Sequence, residues 1–227
     1  MSAALKSTAV MARRKEPTDS LDFFPTPPWA TRALVKCVFE WDVSNDIAWE
    51  PAAGEGHMAE VLRESFRRVI GSDVHDYGKG YTVGSFVGEG LDVIGDQCAD
   101  WIITNPPFNL AGQFLQRALR DARKGVAMLL RTSWLEGGER YREIFHGMSP
   151  SIVAVFSERV PMVAKRWDPD ASSATSYAWF VWLHPLTGHT RLMWIPPGQR
   201  VVLEHSSDRA TFTRPSEIPL FAEGLTP

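Results

Sequence analysis

The sequence predicts one doubly wound α/β domain, with a mostly parallel central sheet, helices on both faces and an antiparallel C-terminal strand. Three observations carry this. A short strand at 47–49 runs through Glu50-Pro51-Ala52-Ala53-Gly54-Glu55-Gly56 straight into a helix, the phosphate- or nucleotide-binding unit of such sheets. Apolar runs of strand length alternate with segments whose apolar residues recur at helical spacing. Finally, 227 residues suffice for one such domain with a real core and leave little for a second.

Residues 1–20 are polar, carry Arg13-Arg14-Lys15, and are expected to form a disordered tail. The domain is placed at 21–205. Thr26-Pro27-Pro28 reads as a helix start, with Thr26 as cap and Pro27 in the first turn, where a missing N–H costs nothing. Ala30, Ala33, Leu34, Cys37, Val38 and Trp41 then share one face. After the glycine-rich turn, Met58, Ala59, Leu62 and Phe66 form the buried stripe of the next helix. Residues 68–72 read as the second strand, ending at Asp73. Gly54 and Gly56 allow a ligand close to the backbone, and an acid about 20 residues further on is where a ribose diol is expected.

Residues 75–90 read as a loop. Asp92 lies between two strand ends, where a ligand contact is favoured over a plain surface carboxylate. Trp101 to Thr104 is a strand that delivers Asn105-Pro106-Pro107-Phe108. Two prolines fix φ twice and remove two donors, so this turn is stiff, and Asn105 is held extended by the proline after it. The side-chain amide oxygen, the Pro106 carbonyl and an aromatic face together suit a planar amine, which can donate twice while its ring stacks. An ordinary proline turn with Phe108 in the core fits the tetrapeptide equally well.

Ala111, Phe114, Leu115, Ala118, Leu119 and Ala122 give the next helical stripe, with Arg117, Arg120 and Arg123 expected on a solvated face. Residues 125–130 suit a buried central strand. A short charged helix follows at 139–146, then strands at 152–156, 177–183 and 191–195. A short strand is expected at 201–203, and residues 206–227 as a loose tail. Between the strands at 152–156 and 177–183 lies a long polar loop, 157–176, of a length often tied to function.

Composition narrows the function classes. A net charge of −3 gives no overall attraction to a polyanion, so nucleic-acid binding requires a local basic patch. Cys37 and Cys98 lack metal-ligand spacing and read as reduced thiols. No apolar run is long enough to span a membrane and no signal-like segment opens the chain. A cytoplasmic protein is expected, with no metal.

The order of these motifs resembles the class I S-adenosylmethionine-dependent amino-methyltransferases, in particular the adenine-N6 DNA methyltransferases of small phage and prophage type. The resemblance covers about residues 22–183. Thr26-Pro27-Pro28 is similar to the family's motif X, beneath the methionine end of the cofactor, and Glu50 to Gly56 is similar to motif I. Asp73 matches the residue for the ribose hydroxyls, and Asp92 the one that accepts from the cofactor's adenine amine. Asn105-Pro106-Pro107-Phe108 resembles the catalytic motif IV, and the motif order resembles the γ arrangement. The resemblance implies S-adenosylmethionine as cofactor, with Asn105 also touching it, and DNA with a flipped adenine as substrate. Larger members carry a separate recognition domain that has no counterpart here. Arg131, Trp134, Arg159, Lys165, Arg166 and Trp167 are therefore candidates for holding DNA, and a short or relaxed target site is expected. RNA adenine, protein glutamine, a dinucleotide-dependent oxidoreductase (Gly54, Gly56 and Ala59 also fit that pattern) and a non-catalytic DNA-binding relative remain as alternatives.

Overall fold

The computed structural model describes residues 22–88 and 99–213; the expected N-terminal tail, Asp92 and Cys98 lie outside them. Eight strands form one sheet: β1 Ile47–Glu50, β2 Arg68–Asp73, β3 Thr82–Val83, β4 Ala99–Thr104, β5 Ala122–Arg131, β6 Ile152–Phe156, β7 Tyr177–Leu183 and β8 Arg191–Ile195, in the order β3-β2-β1-β4-β5-β7-β6-β8. All neighbours are parallel except β7, which runs antiparallel to both β5 and β6. The predicted class is thus the observed one. Among the described residues no helix is long and apolar enough to cross a membrane.

The central strands are apolar on both faces, so the alternation of side chains feeds two cores. Trp101, Ile103, Ala127, Leu129, Trp179 and Val181 face one layer of helices. Ile102, Val126, Met128, Leu130, Phe180 and Trp182 face the other. On the first side lie α1 (Pro28–Ala33, continued as a π-helical turn through Leu34–Val38) and α2 (His57–Leu62). On the second lie α3 (Ala111–Asp121) and α4 (Gly138–Arg140, continued as a π-helical turn through Tyr141–Phe145). The buried indoles are made tolerable by partners for their N–H groups. Trp49 donates to Ser72 Oγ at 2.8 Å, Trp101 to Asp46 Oδ2 at 2.9 Å, and Trp179 to the Ala30 carbonyl at 3.0 Å.

Several local expectations change. Thr26 does not cap α1; Pro27 precedes the first turn instead, and the Thr26 hydroxyl is turned toward Asn105. Trp41 leaves the helix and stacks on Trp101 with ring centroids 5.6 Å apart. Arg117 is not solvated: it pairs with Asp121 at 2.9 Å and donates to the Phe86 carbonyl. Residues 201–203 are not a strand but part of helix α5 (Gln199–Leu203), whose Leu203 packs on the first core. The ordered chain then continues through α6 (Asp208–Phe212). Arg32 explains why: its guanidinium reaches both oxygens of Asp208 at 2.7 and 2.8 Å, and Glu64 at 2.7 and 2.9 Å. With Arg32 and Asp208 both buried, this bidentate pair fastens α6 to α1.

Candidate active site

Walking from β2 to β1 and on to β4 and β5, the chain reverses direction across the sheet between β1 and β4. Ligands of doubly wound sheets bind at such switch points, beyond the carboxyl ends of the strands. Here those ends are Glu50, Asp73 and the turn starting at Asn105. A cleft of about 530 Å³, counting its open mouth, sits over them. Glu50, Ala52, Asp73, Thr26, Asn105 and Pro107 all contribute to its wall, whereas Pro51, Gly54 and Gly56 lie in the turn behind it.

The acids are held in unlike ways. Asp73 accepts from Gly54 N–H at 2.8 Å and from His75 N–H at 3.0 Å, one bond per oxygen, which leaves each oxygen a further lone pair. Burial nonetheless pushes its pKa up, against those N–H donors. Glu50 is more deeply buried, and its Oε2 has no hydrogen-bond partner. Burial first and the nearby Asp73 charge second hold the Glu50 pKa well above the usual carboxylate range. Two crowded carboxylates, one with an unsatisfied oxygen, suit a ligand that brings positive charge and hydrogen-bond donors.

Both glycines use positive φ, +53° at Gly54 and +91° at Gly56, which L side chains rarely adopt. The space above them is filled by the chain's own rings: Phe23 covers Gly54, and the Tyr81 hydroxyl covers Gly56. Tyr81 is fixed in turn by donating to Glu60 at 2.9 Å.

Residues 22–26 contact the turn at 105–108. Asn105 Nδ2 donates to the Phe24 carbonyl at 2.9 Å and to Thr26 Oγ1 at 3.2 Å. Both partners accept, so the amide nitrogen faces them and its oxygen points elsewhere. Neither Asn105 Oδ1 nor the Pro106 carbonyl takes a hydrogen bond from another described residue. Asp22 Oδ2 accepts from the Phe108 N–H at 2.7 Å, and the Phe24 ring packs 5.3 Å from that of Phe108. The Phe108 ring is half-buried and lines two depressions shared with Trp134 and Arg140.

The residues that orient the Asn105 side chain were not foreseen. Asp22 and the Phe24 carbonyl carried no signal beyond the density of Phe-Phe-Pro-Thr-Pro-Pro, more than a helix start needs. Met162, whose sulfur lies 3.7 Å from Asn105 Nδ2, carried none.

The expected DNA contacts divide. Trp134 is in the second core, edge-on to Phe145, Phe180 and Trp182, with one edge on the depressions beside Phe108. Trp167 is also buried, edge-on to Phe212, so it presents no free face to stack on an opened strand. Arg159 contacts Ser176, and Arg166 pairs with Asp168 at 3.2 Å. Lys165 points outward from the strained backbone of its loop, with φ +69°, while its N–H donates to the Phe23 carbonyl at 2.8 Å. Arg131 is exposed at the end of β5, its guanidinium 4.0 Å above the Phe108 ring.

No family model matches the chain, and no curated protein matches its sequence. Solved structures do share its fold. One is described as a modification subunit of a type I restriction enzyme from Vibrio vulnificus, with TM-score 0.54 and 16% identity over 83% of this chain and 51% of that one. The methyltransferase subunit of a type I restriction-modification system from Streptococcus thermophilus gives TM-score 0.56 and 9% identity, covering 75% of this chain and 47% of that one. A protein described as a hemolysin from Lactococcus lactis gives TM-score 0.50 and 12% identity, covering 78% and 96%. The chain spans about half the length of the first two. Its fold is the Rossmann-like fold of these methyltransferase subunits.

Proposed function

We propose that this protein transfers a methyl group from S-adenosylmethionine to the exocyclic N6 amine of adenine in DNA, at a short or relaxed target site. The observation that carries the reading is the pair of acceptors, Asn105 Oδ1 and the Pro106 carbonyl, beside the Phe108 ring at the edge of a cleft that holds Glu50 and Asp73. Asp73 retains the lone pairs to take a ribose diol, and the unsatisfied Glu50 oxygen suits the cationic end of the cofactor. When bound, the cofactor supplies an electrophilic methyl group on a sulfonium.

The adenine amine is a weak nucleophile because its lone pair is delocalised into the ring. Two N–H bonds, to Asn105 Oδ1 and the Pro106 carbonyl, favour a pyramidal nitrogen and stabilise the positive charge that grows on it, which is preorganised electrostatic catalysis. Phe108 orients the base by stacking. The alkylated amine loses its proton readily, so no side chain with a tuned pKa is required. In a duplex the base must first leave the stack, at a cost of about a few kcal/mol.

DNA is favoured over RNA and protein because fold neighbours with TM-scores of 0.54 and 0.56 are described as restriction-system modification subunits, a fold-level analogy. The test is transfer of a labelled methyl group to DNA, RNA and protein in parallel, followed by nucleoside analysis. N6-methyladenine in the DNA is expected; label confined to RNA or to glutamine would overturn the reading.

A further inference from the structure

Arg131 and Tyr177 are directly opposed across the antiparallel pair β5 and β7, so their side chains leave the sheet on the same face. Tyr177 is buried in the first core, and beside it the exposed side chain of Arg131 carries its guanidinium outward. From there it lies over the Phe108 ring, 4.0 Å from the ring centroid. A planar cation at stacking distance occupies the space that a planar base would take on that ring. Around it are Ala111, Leu130, Ser133, Trp134 and Arg140, an open depression, so a displaced guanidinium has somewhere to go.

We propose that Arg131 is a base-binding residue. It holds the stacking slot on Phe108 when no base is present, and it covers the outer face of the target base once that base has entered. Phe108 is then the inner plate and the guanidinium the outer one. The inference rests on the proposed reading and adds to it the group that closes the slot. A guanidinium is flat and weakly hydrated, so it can stack on either ring; an ammonium keeps the charge but has no face.

The experiment uses the full chain, S-adenosylmethionine and two DNA duplexes, one with adenine and one with 2-aminopurine at the methylated position. Wild type, Arg131→Ala and Arg131→Lys are compared. Loss of one stacking plate should raise the KM for DNA about tenfold, with kcat changing less. In the bound complex, 2-aminopurine should be brighter with either variant than with wild type, because the flipped base has lost its outer cover. Lysine should resemble alanine in both readouts. A lysine variant as good as wild type would show that charge alone matters, and an alanine variant with unchanged KM and fluorescence would show that Arg131 does not touch the base. Either result overturns the inference while the proposed function stands. Wild-type protein that makes no N6-methyladenine overturns the proposed function and the inference with it.

Discussion

The acidic half of the cleft is made by one stretch of chain, residues 47–73, in which strand, turn, helix and strand follow directly. The Phe108 half draws on residues 22–24, 105–108, 131 and 177, brought together from opposite ends of the sequence. In the first half backbone N–H groups fix the carboxylate of Asp73, and beside it burial disfavours the charged form of Glu50. In the second, side chains are held by other side chains and by single carbonyls, and the Arg131 guanidinium lies over the Phe108 ring. In the proposed reading, the locally encoded end takes the cofactor and the end assembled over long range meets the substrate.

The sharpest way to break that division is at Asn105, which stands between the halves. Asn105→Ala removes an acceptor needed most in the transition state, so kcat should fall by about 10²–10³ while cofactor affinity changes little. Single-turnover kinetics with calorimetry of cofactor binding would separate the two; near-normal turnover would end the proposed chemistry. Asp73→Ala should do the reverse. Loss of a charge-assisted contact worth about 1.5–3 kcal/mol predicts cofactor binding weakened roughly ten- to a hundredfold. Unchanged affinity by calorimetry would take Asp73 out of the site.

The same contrast explains what could be read in advance. The strand, glycine turn, helix and Asp73 were legible because their meaning lies in local order: strand length, the positive φ of Gly54 and Gly56, and an acid at the next strand end. The turn at 105–108 was legible as a stiff turn because Pro106 and Pro107 restrict their own backbone. The hydrogen bonds that aim Asn105 come from residues 79 and 81 positions away, and no local pattern encodes them. Helix α5 was misread as a strand because Val201 and Val202 favour strands, although both are exposed and the segment is held by Leu203 in the first core and by bonds of Gln199 and Arg200 to Cys37 and Glu158. The helix at Asp208–Phe212, expected as part of a loose tail, was missed because the Arg32–Asp208 pair that holds it spans 176 positions. Trp167, expected at an opened strand, is claimed by Phe212 on that same late helix.

Glu50 tests whether the acidic end is strained. Its folded-state pKa is raised above the ordinary 4.5 by burial and by Asp73. A raised carboxyl binds its proton more tightly folded than unfolded, so stability is fullest below about 4.5 and is lost as pH rises toward the folded-state pKa. Glu50→Gln removes this penalty. Its melting temperature should exceed that of wild type by an amount that grows from pH 4.5 upward, roughly 2–4 °C for each kcal/mol relieved. Cofactor affinity should fall in the same protein, and wild-type binding should release a proton that the variant does not, seen by calorimetry in buffers of different ionisation enthalpy. A variant less stable than wild type at neutral pH would show that the Glu50 charge is not strained.

The smallest effect is expected in the loop that carries the exposed cations. Lys165 holds φ +69° while its N–H supports the Phe23 carbonyl, and that backbone costs about 1–2 kcal/mol for any L side chain. Glycine adopts it freely but adds about 0.5–1 kcal/mol of unfolded-chain entropy. Lys165→Gly should therefore leave stability unchanged or slightly raised, although it deletes a long side chain. If the side chain meets a DNA phosphate, the same change should weaken binding alike on all sequences and lower the slope of log K against log salt by about 1. Denaturant titration and salt-dependent binding on two unrelated duplexes give both numbers from one variant. A marked loss of stability would show that the lysine side chain itself braces the loop. An unchanged salt slope would move the phosphate contact elsewhere, with Arg166 the next candidate in the same exposed stretch.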